Sequence, residues 1–173
     1  MITDFVDEFT RYKLIAEKAM SQVPDAALDR VLAPGVNSIG MLVRHVSGNL
    51  RSRFTAFLTT DGEKPWRDRD AEFEERPWSR AEIEEMWQAC WQVVLAEVGA
   101  LSDADLNRTV TIRGQTLTVH AALARSIAHT ATHVGQIVLL ARVLAERDWV
   151  SLSIPKGASQ DYNKNPTLEK RPG

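Results

Sequence analysis

The stretch Val119-His-Ala-Ala-Leu-Ala-Arg-Ser-Ile-Ala-His-Thr-Ala-Thr-His-Val-Gly-Gln-Ile-Val-Leu-Leu-Ala-Arg-Val-Leu-Ala-Glu-Arg147 decides how this chain reads. Leu123, Ile127, Val134, Ile137, Val138 and Ala141 recur at the spacing of one helix face, so the segment predicts a long amphipathic helix. Arg142 and Arg147 stand near its end, where cations suit the helix dipole. His129 and His133 lie four apart, hence about 40° apart around the axis and one turn apart along it. Their imidazoles point the same way, a geometry that suits two nitrogen ligands on one divalent metal. Both sit on the flank of the apolar stripe, roughly 90–130° from its centre, with Ser126, Gln136 and Leu140 beside them. His120 projects to the opposite side and reads as a capping or surface residue.

Three further helices are expected upstream. Phe5, Phe9, Tyr12, Ile15, Ala16 and Ala19 give helical spacing over about 3–22, and Pro24, Pro34 and Gly35 mark the connection that follows. A second helix is expected over about 38–59, ending before the turn pair Asp61-Gly62. Ser79-Arg-Ala-Glu82 is a capping box that predicts a third helix from there to about Leu101, with Ile83, Met86, Trp87, Cys90, Trp91 and Val94 as its apolar stripe. Residues 60–78 are polar, charged and aromatic and read as a long crossover loop. Residues 109–118 alternate around Gly114 and predict a small β-hairpin before the last helix. The expected architecture is an all-α four-helix bundle over 1–150, with 151–173 as an extended tail packed on it and no further long helix.

The second helix carries its own histidine. Ile39, Leu42, Val43, Val46, Leu50 and Phe57 form its stripe, His45 lies roughly 120° off that stripe, and Asn49 follows one turn on, with Ser52 and Arg53 near. If the two polar edges pack together, His45, His129 and His133 converge at the rim of the core. The alternative is that these histidines are hydrogen-bonded structural residues of a metal-free bundle, a common role for a histidine on a helix flank. Cys90, Trp87 and Trp91 read as core, and Arg44, Arg51 and Arg53 as a solvated face or an anion site.

Bulk properties narrow the class. At 173 residues, with 44% hydrophobic and 25% charged residues, the chain reads as one domain with a sizeable core. A net charge of −2 offers no basic field for nucleic acid or anionic lipid. No unbroken apolar run approaches about 18 residues, so no membrane span is expected. The acidic amino terminus is unlike a secretory signal, and a lone cysteine fits a reducing compartment, so the expected location is cytoplasmic.

Three passages carry a resemblance: Asn37-Ser-Ile-Gly40-Met-Leu-Val-Arg-His45-Val-Ser-Gly-Asn49-Leu, Asp61-Gly-Glu-Lys-Pro-Trp66-Arg-Asp-Arg-Asp70, and Ser126-Ile-Ala-His129-Thr-Ala-Thr-His133-Val-Gly-Gln136-Ile. With these the sequence resembles the DinB/YfiT-like superfamily of small bacterial metalloproteins, most closely a branch without an established activity. The likeness runs from the first helix to the Ile154-Pro155-Lys156-Gly157 tail. It implies a four-helix bundle holding a divalent metal, zinc or nickel, through three histidines, here His45, His129 and His133. Similar families include thiol S-transferases that use bacillithiol or mycothiol and a mycothiol-dependent maleylpyruvate isomerase. The resemblance therefore implies a metal-dependent enzyme acting on a small thiol and an electrophile, with Asn49, Gln136 and Arg53 in supporting roles. The rival expectation is a stress-associated metal-binding protein without turnover. A homodimer is expected from the resemblance and from the aromatic load, which includes Trp66, Phe73 and Trp78. One or both of the loop, with Lys64, Arg67 and Arg69, and the tail, with Lys156 and Lys164, are expected to cover the site mouth, bring positive charge to it and help select an anionic, thiol-bearing substrate.

Overall fold

The computed structural model describes residues 1–146 and 148–172. Four long helices form the bundle: α1 (Ile2–Met20), α2 (Ile39–Phe54), α3 (Arg80–Gly99) and α4 (Val119–Leu144). The predicted hairpin is present as β1 (Thr109–Ile112) and β2 (Gln115–Thr118), antiparallel with Val110 opposite Leu117. A four-residue helix, α5 (Ser159–Tyr162), is the one regular element in the described tail. The fold is the all-α bundle expected.

Local chemistry explains where each helix starts. The Ser38 and Thr118 side chains accept the Met41 and Ala121 amides at the starts of α2 and α4. Ser79 and Glu82 make the capping box at the start of α3, each satisfying an amide of the other's turn. Arg147, expected near the end of the last helix, lies outside the described residues; α4 ends at Leu144.

The second helix ends earlier than expected, at Phe54 rather than about Thr59. The Glu97 carboxylate of α3 accepts the Ala56 and Phe57 amides, each at 3.3 Å, and Ala56 takes a positive φ of 51°. Phe57 stays buried against Phe54, ring centroids 5.0 Å apart, so apolar periodicity outlasts the helix.

α2 packs on α3 and α1 on α4, and lighter α1–α3 and α2–α4 contacts close the bundle. Phe9, Phe54, Trp87 and Trp91 are fully buried at its centre. Phe9 meets Phe54 and Trp91 edge-on at 5.5 and 6.1 Å, the geometry aromatic quadrupoles favour. Truncating any of these to Ala removes about 3–5 kcal/mol. By length and composition α4 is also long and apolar enough to cross a membrane, although charged and polar residues interrupt its apolar run. In this fold it is a core helix, burying Leu123, Val134, Ile137 and Ala141.

The tail runs back along α1. Gln22 and Val150 exchange two hydrogen bonds, the Arg11 guanidinium donates to the Leu168 carbonyl, and Arg171 pairs with Asp7 at 3.3 Å.

Candidate metal centre

The three histidines meet where the flank of α2 faces the flank of α4. Their ligand atoms all lie within 4.8 Å of one another, and the His45 and His129 Nε2 atoms are 3.2 Å apart. Two imidazoles on one tetrahedral ion at about 2.0–2.1 Å hold their nitrogens about 3.3 Å apart. The His45–His129 spacing matches a shared ion, and modest turns of the rings would bring the wider contacts of the triad, up to 4.8 Å, to the same distance. His45 is buried and the other two are half-buried. His120 stays apart, its ring edge-on to Phe5 at 5.6 Å.

The outer nitrogens decide how each ring is held. His45 Nδ1 lies 2.9 Å from Glu72 Oε2, and His133 Nδ1 lies 2.8 Å from Gln136 Oε1. Oxygen acceptors there place the proton on Nδ1 and free Nε2 as a lone-pair donor, the arrangement metal-binding histidines ordinarily have. His129 Nδ1 is buried and has no hydrogen-bond partner among the described residues. Burial, then the neighbouring His133 and His45, push the pKa of His129 down to about 4, and burial likewise lowers that of His133. Both are neutral at physiological pH, as metal ligation requires.

Glu72, in the 3₁₀ turn Ala71–Phe73, is the functional residue that sequence reasoning missed. Arg67 clamps it with two parallel bonds of 2.8 and 2.9 Å, Nε to Oε1 and Nη2 to Oε2. Burial raises the pKa of Glu72, but the hydrogen bonds from His45 and Arg67 outweigh it and keep the carboxyl below its ordinary value. Gly48 makes room for it: a Cβ at 48 would lie 2.8 Å from Glu72 Cδ and closer still to Oε1. Phe73 then covers the His45 ring at 4.6 Å. The long loop thus straps the outside of His45. In sequence Glu72 is one acid among Asp68, Asp70, Glu74 and Glu75, and nothing local singles it out.

A cavity of about 180 Å³ opens beside the triad, lined by His45 and His129, by Asn49 and Ser126, and by arginines from four elements. Arg53 lines it from α2, and Arg67 and Arg69 from the loop, as the sequence suggested. Arg44 and Arg51 face elsewhere, onto a chamber of about 580 Å³ between α2, α3 and the loop. Lys64 does not reach the mouth: its ammonium donates to the Asp61 carbonyl and its amide to Ser52 Oγ. The tail does not cover it either. Lys164 pairs with Asp161 at 2.6 Å, and neither Lys156 nor Lys164 lines the cavity. The Cys90 thiol lines the larger chamber, and burial pushes it up to about 12, so it is protonated at neutral pH.

Comparison with known proteins bears on family and fold. The family model described as "Protein of unknown function (DUF1572)" matches residues 1–158. Among solved structures, the chain is similar to a DinB-like protein, YjoA, from Bacillus subtilis, with a TM-score of 0.65 at 13% identity, covering 86% of this chain and 96% of that one. No curated protein matches. The chain belongs to the DUF1572 family and shares its helical-bundle fold with that DinB-like protein.

Proposed function

We propose that this is a divalent-metal-binding protein, with His45, His129 and His133 as ligands, that works as a metal-dependent enzyme transferring a low-molecular-weight thiol to an electrophile. The observation that carries the metal reading is the convergence of three imidazoles, two with Nδ1 held by Glu72 or Gln136. Three protein ligands leave a coordination position open, as catalytic rather than structural sites do. Bound there, a zinc or nickel ion supplies the Lewis acidity that lets a thiol ionise at neutral pH. The chain's own residues hold the rings, Phe73 and the bundle core exclude water from the His45 side, and Asn49 and Arg53 line the space a substrate enters. The protein supplies no thiol of its own, since Cys90 is buried away from this cavity.

The test is a screen of small thiols against alkylating electrophiles, followed as thiol loss, with and without a chelator. Turnover that the chelator abolishes and zinc or nickel restores supports the reading. Stoichiometric metal without turnover of any thiol replaces it with a non-catalytic metal protein.

The same reading takes the protein as a cytoplasmic homodimer. Phe73 and Trp78 are used internally, against His45 and under Arg44 and Arg76, so they leave less apolar surface than the sequence suggests. The support comes instead from α4, where Leu139 and Val143, one turn apart, are 63% and 60% exposed. Light scattering should give twice the chain mass, and Leu139→Glu should return it to the chain mass; a monomer in the unmutated protein removes the dimer from the account.

A further inference from the structure

The five arginines around the triad's cavity share few carboxylates. Arg53, Arg67, Arg69, Arg113 and Arg125 all line it, and among the described residues no Asp or Glu does. Glu63 serves Arg53 at 3.0 Å and Arg113 at 2.9 Å, with Arg67 at 3.9 Å, and Glu72 serves Arg67. Among the described residues Arg69 pairs only with Asp70, at 3.7 Å and with the Asp70 side chain 98% exposed. Arg125 has no ion pair among the described residues. The cavity therefore carries a surplus of positive charge before any metal is added.

Its construction is specific. Arg113 sits at the hairpin tip with a φ of 53°, a strained conformation for a residue with a side chain, followed by Gly114 at 71°. The Asp61 carboxylate fixes that turn by accepting the Arg113 and Gly114 amides, both at 2.8 Å, and Gly62 N bonds the Thr111 carbonyl at 2.7 Å. The hairpin is locked to the loop, and the lock holds the Arg113 guanidinium at the cavity. Strained backbone held by such contacts clusters at binding sites.

We propose that this cavity is an anion-binding site that takes the carboxylate or phosphate group of a small acidic substrate, with Arg125, unpaired among the described residues, and Arg113, whose Nε pairs with Glu63, as its principal guanidiniums. The inference deepens the function proposed above by naming the substrate class, and it rests on that reading for the position of the reacting atom, at the Nε2 side of the histidines. A volume of about 180 Å³ is well below the roughly 300–1,000 Å³ of whole-ligand pockets, so the site holds an anionic head group while the rest of the molecule extends outward. Planar guanidinium forks match carboxylate and phosphate oxygens two at a time, which is the geometry such a head group offers.

The experiment titrates inorganic phosphate and succinate, with succinamide as neutral control, into metal-free full-length protein and its His133→Ala variant in low-chloride buffer. Isothermal calorimetry should find one anion per chain in both proteins. Arg125→Gln and Arg113→Gln should each weaken binding about tenfold, the cost of one charge-assisted hydrogen bond. Arg142→Gln, the same charge removed from the same helix about 25 Å away, should leave binding unchanged. Phosphate binding alone assigns a phosphorylated head group, succinate binding alone a carboxylate, and binding of both an oxyanion site for either. No binding of phosphate or succinate, equal binding of succinamide, or equal weakening by Arg142→Gln overturns the proposal. Because His133→Ala is included, a metal content that His133→Ala does not lower, with anion binding intact, fails the metal reading alone, and metal lost in His133→Ala with no anion bound by either protein fails this inference alone.

Discussion

On one side of Glu72 lies a chamber of about 580 Å³, walled by Trp66, Trp78 and Met86 with the Cys90 thiol at its edge. On the other lies a cavity of about 180 Å³, holding imidazoles and arginines. Volume and apolar walls would select the first as the ligand site. Its thiol is pushed by burial up to about 12, and a protonated thiol neither attacks nor ligates. The smaller cavity presents His129, which burial keeps neutral, beside His45 and His133, whose outer nitrogens are held by Glu72 and Gln136. The difference teaches that donor set and protonation state, rather than size, locate the chemistry, and that the carboxylate between the two cavities belongs functionally to the smaller.

That assignment of Glu72 is the first place to break the comparison. Glu72→Ala should lower metal affinity by about 10- to 100-fold, the usual cost of removing a ligand's orienting partner. Trp78→Phe and Cys90→Ala, on the chamber side, should leave it within about twofold. Competition against a chromophoric chelator measures both. Equal losses on the two sides would mean that metal binding responds to general destabilisation, and the two cavities would no longer be distinguishable in function.

A smaller effect sharpens the same point. Gly48→Ala drives a methyl group into the Glu72 carboxylate, so it should weaken metal binding several-fold in the natural background. In a Glu72→Ala background the atoms it would meet are gone, and Gly48→Ala should then cost almost nothing in metal affinity. This non-additivity is the signature of direct contact. Additive losses would show that Gly48 acts through the helix rather than through Glu72.

The smallest effect is on the pH dependence of the metal-free protein. An imidazole in the unfolded chain titrates near 6.5, whereas burial and the neighbouring histidines hold His129 at about 4 in the fold. Above about 6.5 the group is neutral in both states. Between about 6.5 and 4 the unfolded chain takes up a proton that the folded one refuses, so stability falls as pH falls through this window. His129→Asn should flatten that part of the melting-temperature profile. An unchanged slope would assign the acid sensitivity to other groups.

How far the sequence reaches differs between these regions for a physical reason. The helices and the edges carrying His45 and His129/His133 were legible because a helix converts spacing into direction. The Ser79–Glu82 box located a helix start for a similarly local reason. The end of α2 was not legible, because Glu97 of another helix captures its last amides while Phe57 keeps the apolar rhythm going. Glu72 was illegible because its partners, His45 and Arg67, are chosen by the path of the loop, and the acids around it are alike in composition. The loop was expected to bring charge to the site and does so through Arg67 and Arg69; the tail was expected to do the same and lies on α1 instead.

The most direct test of the central claim, a metal centre built from His45, His129 and His133, is elemental analysis of protein purified without an affinity tag, alongside His133→Ala and His120→Ala. The account predicts one divalent ion per chain in the natural protein and in His120→Ala, and a loss of stoichiometric metal in His133→Ala. Equal metal content in the two variants, or no bound metal in the natural protein after incubation with zinc and nickel, would contradict it.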